Sequence, residues 1–161
     1  MTSPNPVPDP STPTRPSDPA ADGALYDAIT TEHATIYGYG IVSAHSIPDV
    51  NYLVSEAMAQ HRTRREAGIA MLEEGGVEAP IPAAGYSLPI EVDTPADAAT
   101  LAVTMEQDSA TAWRAVVEQA TDPSLRAFAV TALTDSAVNA ARWRRIRGDT
   151  AITVAFPGGT E

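Results

Sequence analysis

Apolar residues recur every three to four positions along four long stretches of the chain, which is the spacing of one face of an α-helix. The pattern predicts helices from about Gly23 to His45, from Pro48 to Glu74, from Pro95 to Thr121 and from Pro123 to Arg147. No stretch shows the strict alternation of apolar and polar residues that is typical of a half-buried strand.

Local signals at the ends of these segments support the same four helices. Asp22, Thr94 and Asp122 are the residue types that cap helix N-termini, and a proline follows each of the latter two, where helices favour it. Gly75 and Gly148 follow the second and fourth segments, and glycine commonly ends helices.

The lengths of the connections indicate the topology. The first and last links are short, so each joins two antiparallel helices. The middle link runs from Gly75 to Asp93 and could cross the length of a bundle. It carries apolar residues that could pack along the helices, which argues against a loose loop in an up-and-down bundle: Ile81, Tyr86, Leu88, Ile90 and Val92. We therefore predict an all-α fold, a ferritin-like four-helix bundle with a long crossover between helices 2 and 3.

Residues 1–20 differ in composition from the rest of the chain. Seven of the 14 prolines lie among the first 19 residues, where Val7 is the one apolar residue between Met1 and Pro19 apart from proline. Such a segment cannot bury enough surface to offset its ordering entropy, so we predict a disordered, Pro-rich tail and a single domain over residues 21–161. The tail has no basic and apolar signal sequence, so we expect a cytoplasmic protein.

The charge and the missing cysteines exclude several classes of function. With 21 acidic and 10 basic residues the net charge is −11, which disfavours nucleic acid and anionic membranes as partners. No apolar run is long enough to span a bilayer, and without cysteine there is no disulfide, thiolate metal site or cysteine nucleophile. We expect a homo-oligomer, a dimer, with Trp113, Trp143 or the helical hairpins as its interface.

Four polar residues are predicted to lie at similar heights along the bundle, near the middles of the four helices. Glu32 and His61 fall on the apolar stripes of helices 1 and 2, and Glu106 shares a face with apolar residues of helix 3. Asp135 lies at the middle of helix 4, beside its apolar face. Because a buried carboxylate is normally paired with a cation or bound to a metal, these residues need partners in the core.

Two interpretations of this cluster remain open. In one, Glu32 and Glu106 pair with His61 and with Arg62 or Arg65 in a buried polar network. In the other, the core binds iron or another divalent metal through Glu32, His61, Glu106 and Asp135. A di-iron bundle carries Glu-x-x-His on two helices, and no Glu-x-x-His occurs in this chain. That absence favours the network and leaves any enzymatic activity uncertain.

Several short motifs together resemble a ferritin-like family of unknown function found in actinobacteria. They are ALYDAITTEHATIYGYG from Ala24 to Gly40, HRTRRE from His61, YSLP from Tyr86, ARW from Ala141 and AFPG from Ala155. The resemblance covers about Ala24 to Gly158, implies a four-helix ferritin-like bundle and brings no established activity. It also suggests that four residues occupy core polar positions of the family: Glu32, His61, Arg65 and Glu106.

Overall fold

Four long α-helices make up most of residues 18–159, the part of the chain that this computed structural model describes. They are α1 (Pro19–His45), α2 (Asn51–Glu74), α3 (Pro95–Gln119) and α4 (Pro123–Arg147). A short 3-10 helix, Pro48–Val50, leads into α2, and the described residues contain no strand. The all-α prediction is confirmed. No helix in this part of the chain has the length and apolarity needed to cross a membrane.

The first helix begins earlier than its sequence pattern predicts. Asp18 is its N-cap, with a side chain that accepts a hydrogen bond from the Ala21 amide, and Pro19 occupies the first turn. Asp22, predicted as the cap, instead lies buried in the first turn. Residues 19 and 20, predicted as part of the tail, are therefore helical, and the rest of that prediction, residues 1–17, lies outside the described residues.

Two apolar clusters fill the two ends of the bundle. Cluster A joins the starts of α1 and α4 to the ends of α2 and α3, and includes Leu25, Leu72, Val116 and Leu125. Cluster B joins the ends of α1 and α4 to the starts of α2 and α3, and includes Val42, Leu53, Leu101 and Trp143. This pairing makes α1 and α4 run opposite to α2 and α3.

The segment between Glu74 and Pro95 crosses the whole length of the bundle. Val77 and Ala79 pack against cluster A, whereas Leu88 and Ile90 pack against cluster B. His33 of α1 also holds the segment, through a contact of 3.1 Å between its Nε2 and the carbonyl oxygen of Pro80. The predicted long crossover between the second and third helices is confirmed.

Candidate functional site

A layer of polar side chains separates the two apolar clusters at the middle of the bundle. All four helices contribute to this polar layer, whose members are all buried: Glu32 from α1, His61 and Arg64 from α2, Glu106 and Ser109 from α3, and Ser136 from α4. Each residue lies on the inward face of its helix, between the residues that enter cluster A and those that enter cluster B. Burial at this depth requires nearly every polar atom to have a partner.

His61 bridges the two buried carboxylates. Its Nδ1 lies 2.6 Å from Oε2 of Glu32, and its Nε2 lies 3.1 Å from Oε1 of Glu106. Both ring nitrogens face carboxylate acceptors, so both donate only when the imidazole is protonated. Burial opposes that charge, but the hydrogen bonds to Glu106 and Glu32 outweigh it and raise the pKa of His61 to about 9.

Glu32 accepts hydrogen bonds from both α2 and α3. Its Oε1 lies 3.1 Å from Nη1 of Arg64 and 2.6 Å from the indole Nε1 of Trp113. Burial favours the neutral acid, but the hydrogen bond from His61 and the charges of His61 and Arg64 hold the pKa of Glu32 below its ordinary value. Glu32 is therefore a fixed anion in the bundle interior.

Glu106 is held from the side of cluster B by a chain of two hydrogen bonds. The indole of Trp143 donates to the hydroxyl of Tyr39 at 2.9 Å, and that hydroxyl donates to Oε1 of Glu106 at 2.5 Å. Burial, reinforced by the negative charge of Glu106, raises the pKa of Tyr39 well above its ordinary value, so the phenol keeps its proton. The second carboxylate oxygen of Glu106, Oε2, is buried and has no hydrogen-bond partner among the described residues.

Arg64 is the guanidinium of the layer. Its Nη1 contacts Glu32 and also donates to Oγ of Ser136 at 3.0 Å, which links α2 to both α1 and α4. Its Nη2 lies 3.7 Å from Oδ2 of Asp135, whose side chain is 45% exposed. Two carboxylates, one imidazolium and one guanidinium balance one another in the interior.

The structure brings together some of the predicted site residues and not others. Glu32, His61 and Glu106 meet as the spacing predicts, but Arg62 is exposed and Arg65 pairs with Glu66 at the surface, 2.5 Å away. The prediction named Arg62 and Arg65, one and four residues after His61, whereas the buried arginine, Arg64, is three residues after it. Spacings of three and four residues both return to the same side of a helix, which is why the sequence did not separate Arg64 from Arg65.

Other predicted roles also change. Asp135 lies at the rim, in contact with Arg64, and Ser136 takes the inward position on α4. Trp113 and Trp143, predicted as a dimer interface, are fully enclosed and donate hydrogen bonds into the layer. This role could have been predicted from the sequence, because both tryptophans lie on apolar helix faces near carboxylates that need hydrogen-bond donors.

The donor set does not fit a metal ion. Within residues 18–159, no group of three or more histidine, aspartate or glutamate side chains is arranged to hold one. Both nitrogens of His61 are engaged by carboxylates, so neither offers a lone pair, and the guanidinium of Arg64 already neutralises Glu32. The Glu-x-x-His pattern of di-iron bundles is missing as well.

Comparison with known proteins places the chain in a family. Residues 24–161 match the family described as "Domain of unknown function (DUF4439)". The chain belongs to this family. A crystal structure of a conserved hypothetical protein from Mycobacterium tuberculosis is similar, with 62% sequence identity, a TM-score of 0.78, and coverage of 81% of this chain and 99% of that one. No curated protein matches the chain. The predicted membership of a family of unknown function is confirmed.

Proposed function

We propose that this DUF4439 protein is a ferritin-like bundle in which a fixed ion-pair layer takes the place of a metal centre, and that it is not a redox enzyme. One observation supports this most directly. Nη1 of Arg64 lies 3.1 Å from Oε1 of Glu32, with both side chains buried at the height where a di-iron bundle would hold its ions. A permanent cation there supplies the positive charge that a metal would otherwise bring.

The topology and the family comparison support the ferritin-like part of the proposal. Two helical hairpins joined by one long crossover are the arrangement of ferritin-like bundles. The similar structure from Mycobacterium tuberculosis agrees with the actinobacterial occurrence that the sequence motifs suggest. In this proposal the layer has a structural role. It holds the four helices at one register, because each charged side chain has a partner on another helix.

Iron binding is the test of this function. The full-length protein, stripped with a chelator, would be given Fe(II) without oxygen, desalted and analysed for metal, and Fe(II) oxidation would be followed by absorbance. We expect less than stoichiometric iron and no accelerated oxidation. One tightly held iron per chain, lost in a Glu106→Gln variant, would overturn the proposal and establish the alternative, iron or another divalent metal bound through Glu32, His61, Glu106 and Asp135.

Two arginine variants make the test sharper. Arg64→Met removes the buried guanidinium and leaves Glu32 without its fixed cation, whereas Arg65→Met removes a neighbouring guanidinium that pairs at the surface. We expect Arg65→Met to behave like the parent protein. Any gain of metal affinity should appear in Arg64→Met alone, because that side chain alone occupies the charge position of a metal.

We also propose that the protein forms a homodimer. With both tryptophans buried, support comes from the outer surface of α4, where Val130 and Val138 are each 46% exposed. Sedimentation equilibrium of the full-length chain should give a dimer, and Val138→Glu should shift it towards monomer. A parent protein that is monomeric at micromolar concentration would disprove this part of the proposal.

A further inference from the structure

One side of α1 carries exposed tyrosines. Tyr26 and Tyr37 are each 42% exposed, and their spacing puts them on the same side of the helix, about three turns apart. The crossover between α2 and α3 lies across this side. The carbonyl oxygen of Pro80 is 3.1 Å from Nε2 of His33, which lies between the two tyrosines on α1. The next residue of the crossover, Ile81, is 86% exposed.

The crossover adds an uncharged stretch to this side of the bundle. Residues 79–90 contain no acidic or basic residue, although the net charge of the chain is −11. The ring of Tyr86 packs against that of Tyr37, with centroids 5.4 Å apart, and its hydroxyl accepts a hydrogen bond from the amide of Ala83. We call the surface formed by Tyr26, Tyr37, Ile81 and Tyr86 the tyrosine face. Such a surface selects a partner through apolar and ring contacts rather than through charge.

The chain itself contains a segment of matching chemistry. Residues 1–17, which precede the described part of the chain, include six prolines and two charged residues. Three of these prolines follow one another at intervals of three residues, and the same interval leads to Pro19 in the first turn of α1. We call them the proline repeat: Pro10, Pro13 and Pro16. A polyproline II helix has three residues per turn, so this interval puts proline rings on one side, and aromatic side chains are the surface on which such segments dock.

The length of this segment and the point where it joins α1 allow it to reach the tyrosine face. It joins the helix at Asp18, the N-cap, whose Oδ2 accepts a hydrogen bond of 2.5 Å from the hydroxyl of Thr121. From Asp18, Tyr26 lies about 12 Å and Tyr37 about 29 Å along the helix, at a rise of about 1.5 Å per residue. Residues 1–17 span about 53 Å at about 3.1 Å per residue, so they can turn back at the start of α1 and still cross the tyrosine face.

We infer that residues 4–16 bind back onto the tyrosine face, with the proline repeat packed against Tyr26 and Ile81. The composition of the segment predicts that it cannot bury enough surface by itself, and the tyrosine face supplies the missing surface. The tether gives the segment an effective concentration on the order of millimolar, so contacts of millimolar dissociation constant are sufficient. A second copy of the chain offers the same segment only at its much lower free concentration, and a highly charged peptide finds no opposite charges on the crossover.

Paramagnetic relaxation enhancement in the full-length protein tests the proposal. Because the chain has no cysteine, Ser11→Cys provides a single attachment site for a nitroxide spin label within the proline repeat. In ¹⁵N-labelled protein, we expect amide signals around Ile81 to lose intensity relative to the same sample with a reduced, diamagnetic label. Amide signals around Tyr52, an exposed tyrosine at the start of α2, should keep their intensity.

Variants of the same spin-labelled chain separate binding from mere proximity. A triple variant removes the proline repeat and keeps the length of the tether, so the amides around Ile81 should regain most of the lost intensity. Tyr26→Ser should have the same effect, whereas Tyr52→Ser, also at an exposed tyrosine, should leave the intensity loss unchanged. The triple variant carries Pro10→Ser, Pro13→Ser and Pro16→Ser.

Three results would overturn the proposal. The first is no intensity loss around Ile81, or an equal loss around Tyr52. The second is an equal loss in the parent chain and in the triple variant, which would show that the tether alone brings the label close. The third comes from a mixture of ¹⁵N-labelled protein without a spin label and spin-labelled protein without ¹⁵N. An equal loss in this mixture would show that the segment binds a second copy of the chain.

Discussion

Glu32 is the residue on which the interior charge balance depends. It accepts from His61 and Arg64 on α2 and from Trp113 on α3, so its removal leaves Arg64 without its buried anion and His61 with one of its two carboxylate partners. We expect Glu32→Ala to lower the free energy of unfolding by about 3–5 kcal/mol. Glu66→Ala breaks the surface pair with Arg65 and should change stability by about 1 kcal/mol or less. Urea unfolding of both variants measures the difference, and equal midpoints would contradict the assigned burial.

The proton on His61 makes stability depend on alkaline pH. The pKa of His61 is about 9 in the folded chain against an ordinary value of 6.5, because the hydrogen bonds to Glu106 on α3 and Glu32 on α1 outweigh burial and the nearby guanidinium of Arg64. The raised pKa means that the contribution is complete below about pH 6.5 and is lost as the pH rises through about 9.

We expect this loss to be on the order of 3 kcal/mol, since one pKa unit corresponds to about 1.4 kcal/mol. Unfolding free energies measured from neutral to alkaline pH should fall steeply for the parent protein and less for His61→Gln. A variant of the half-buried His45 at the end of α1, His45→Gln, provides the control and should follow the parent curve. Parallel curves for the parent and His61→Gln would show that the imidazole is neutral in the folded chain.

At the scale of helices, two glycines of α1 make a matched pair. A Cβ on Gly38 would collide with Sδ of Met105 on α3, whereas a Cβ on Gly40 would meet nothing within 4 Å. We expect Gly40→Ala to raise the free energy of unfolding by about 0.5–1 kcal/mol, as is usual inside a helix. Gly38→Ala should lower it by about 1 kcal/mol, because the cost of overpacking exceeds the same gain. Thermal unfolding of both variants measures this contrast, and an equal gain at both sites would contradict the close α1–α3 approach.

The sequence predicted the presence and the connection of the helices better than it predicted which face of each helix is buried. Thr94 and Asp122 act as N-caps in the structure, and the crossover follows from connection lengths and from apolar residues within it. Which face of α2 is buried was harder to predict. The large apolar Ile69 suggested one face, whereas the small Gly68 lies on the face that is buried in the structure. A Cβ added to Gly68 would lie 3.1 Å from the side chain of Ile29 and 3.6 Å from that of Trp113, on two other helices, and no local pattern contains this information. Arg64 was missed for that reason.

For the whole molecule, the polar layer is the connection between two separate apolar cores. Cluster A and cluster B occupy opposite ends of the bundle, and along each helix the layer residues lie between them. Apolar contacts favour many packings of similar energy, whereas a charge buried against partners on other helices favours one register. The layer should therefore make the two ends unfold together.

Native-state hydrogen exchange can measure this coupling. In the parent protein we expect amides inside the helices at both ends, around Leu25 of cluster A and around Leu101 of cluster B, to report the same opening free energy, that of global unfolding. In Glu32→Gln the layer keeps its shape but loses the charge that balances His61 and Arg64, so the two ends should report different values. Glu66→Gln, which alters only the surface pair with Arg65, should keep them equal. Equal opening energies at both ends of Glu32→Gln would mean that helix packing alone, without the ion pairs, couples the two cores.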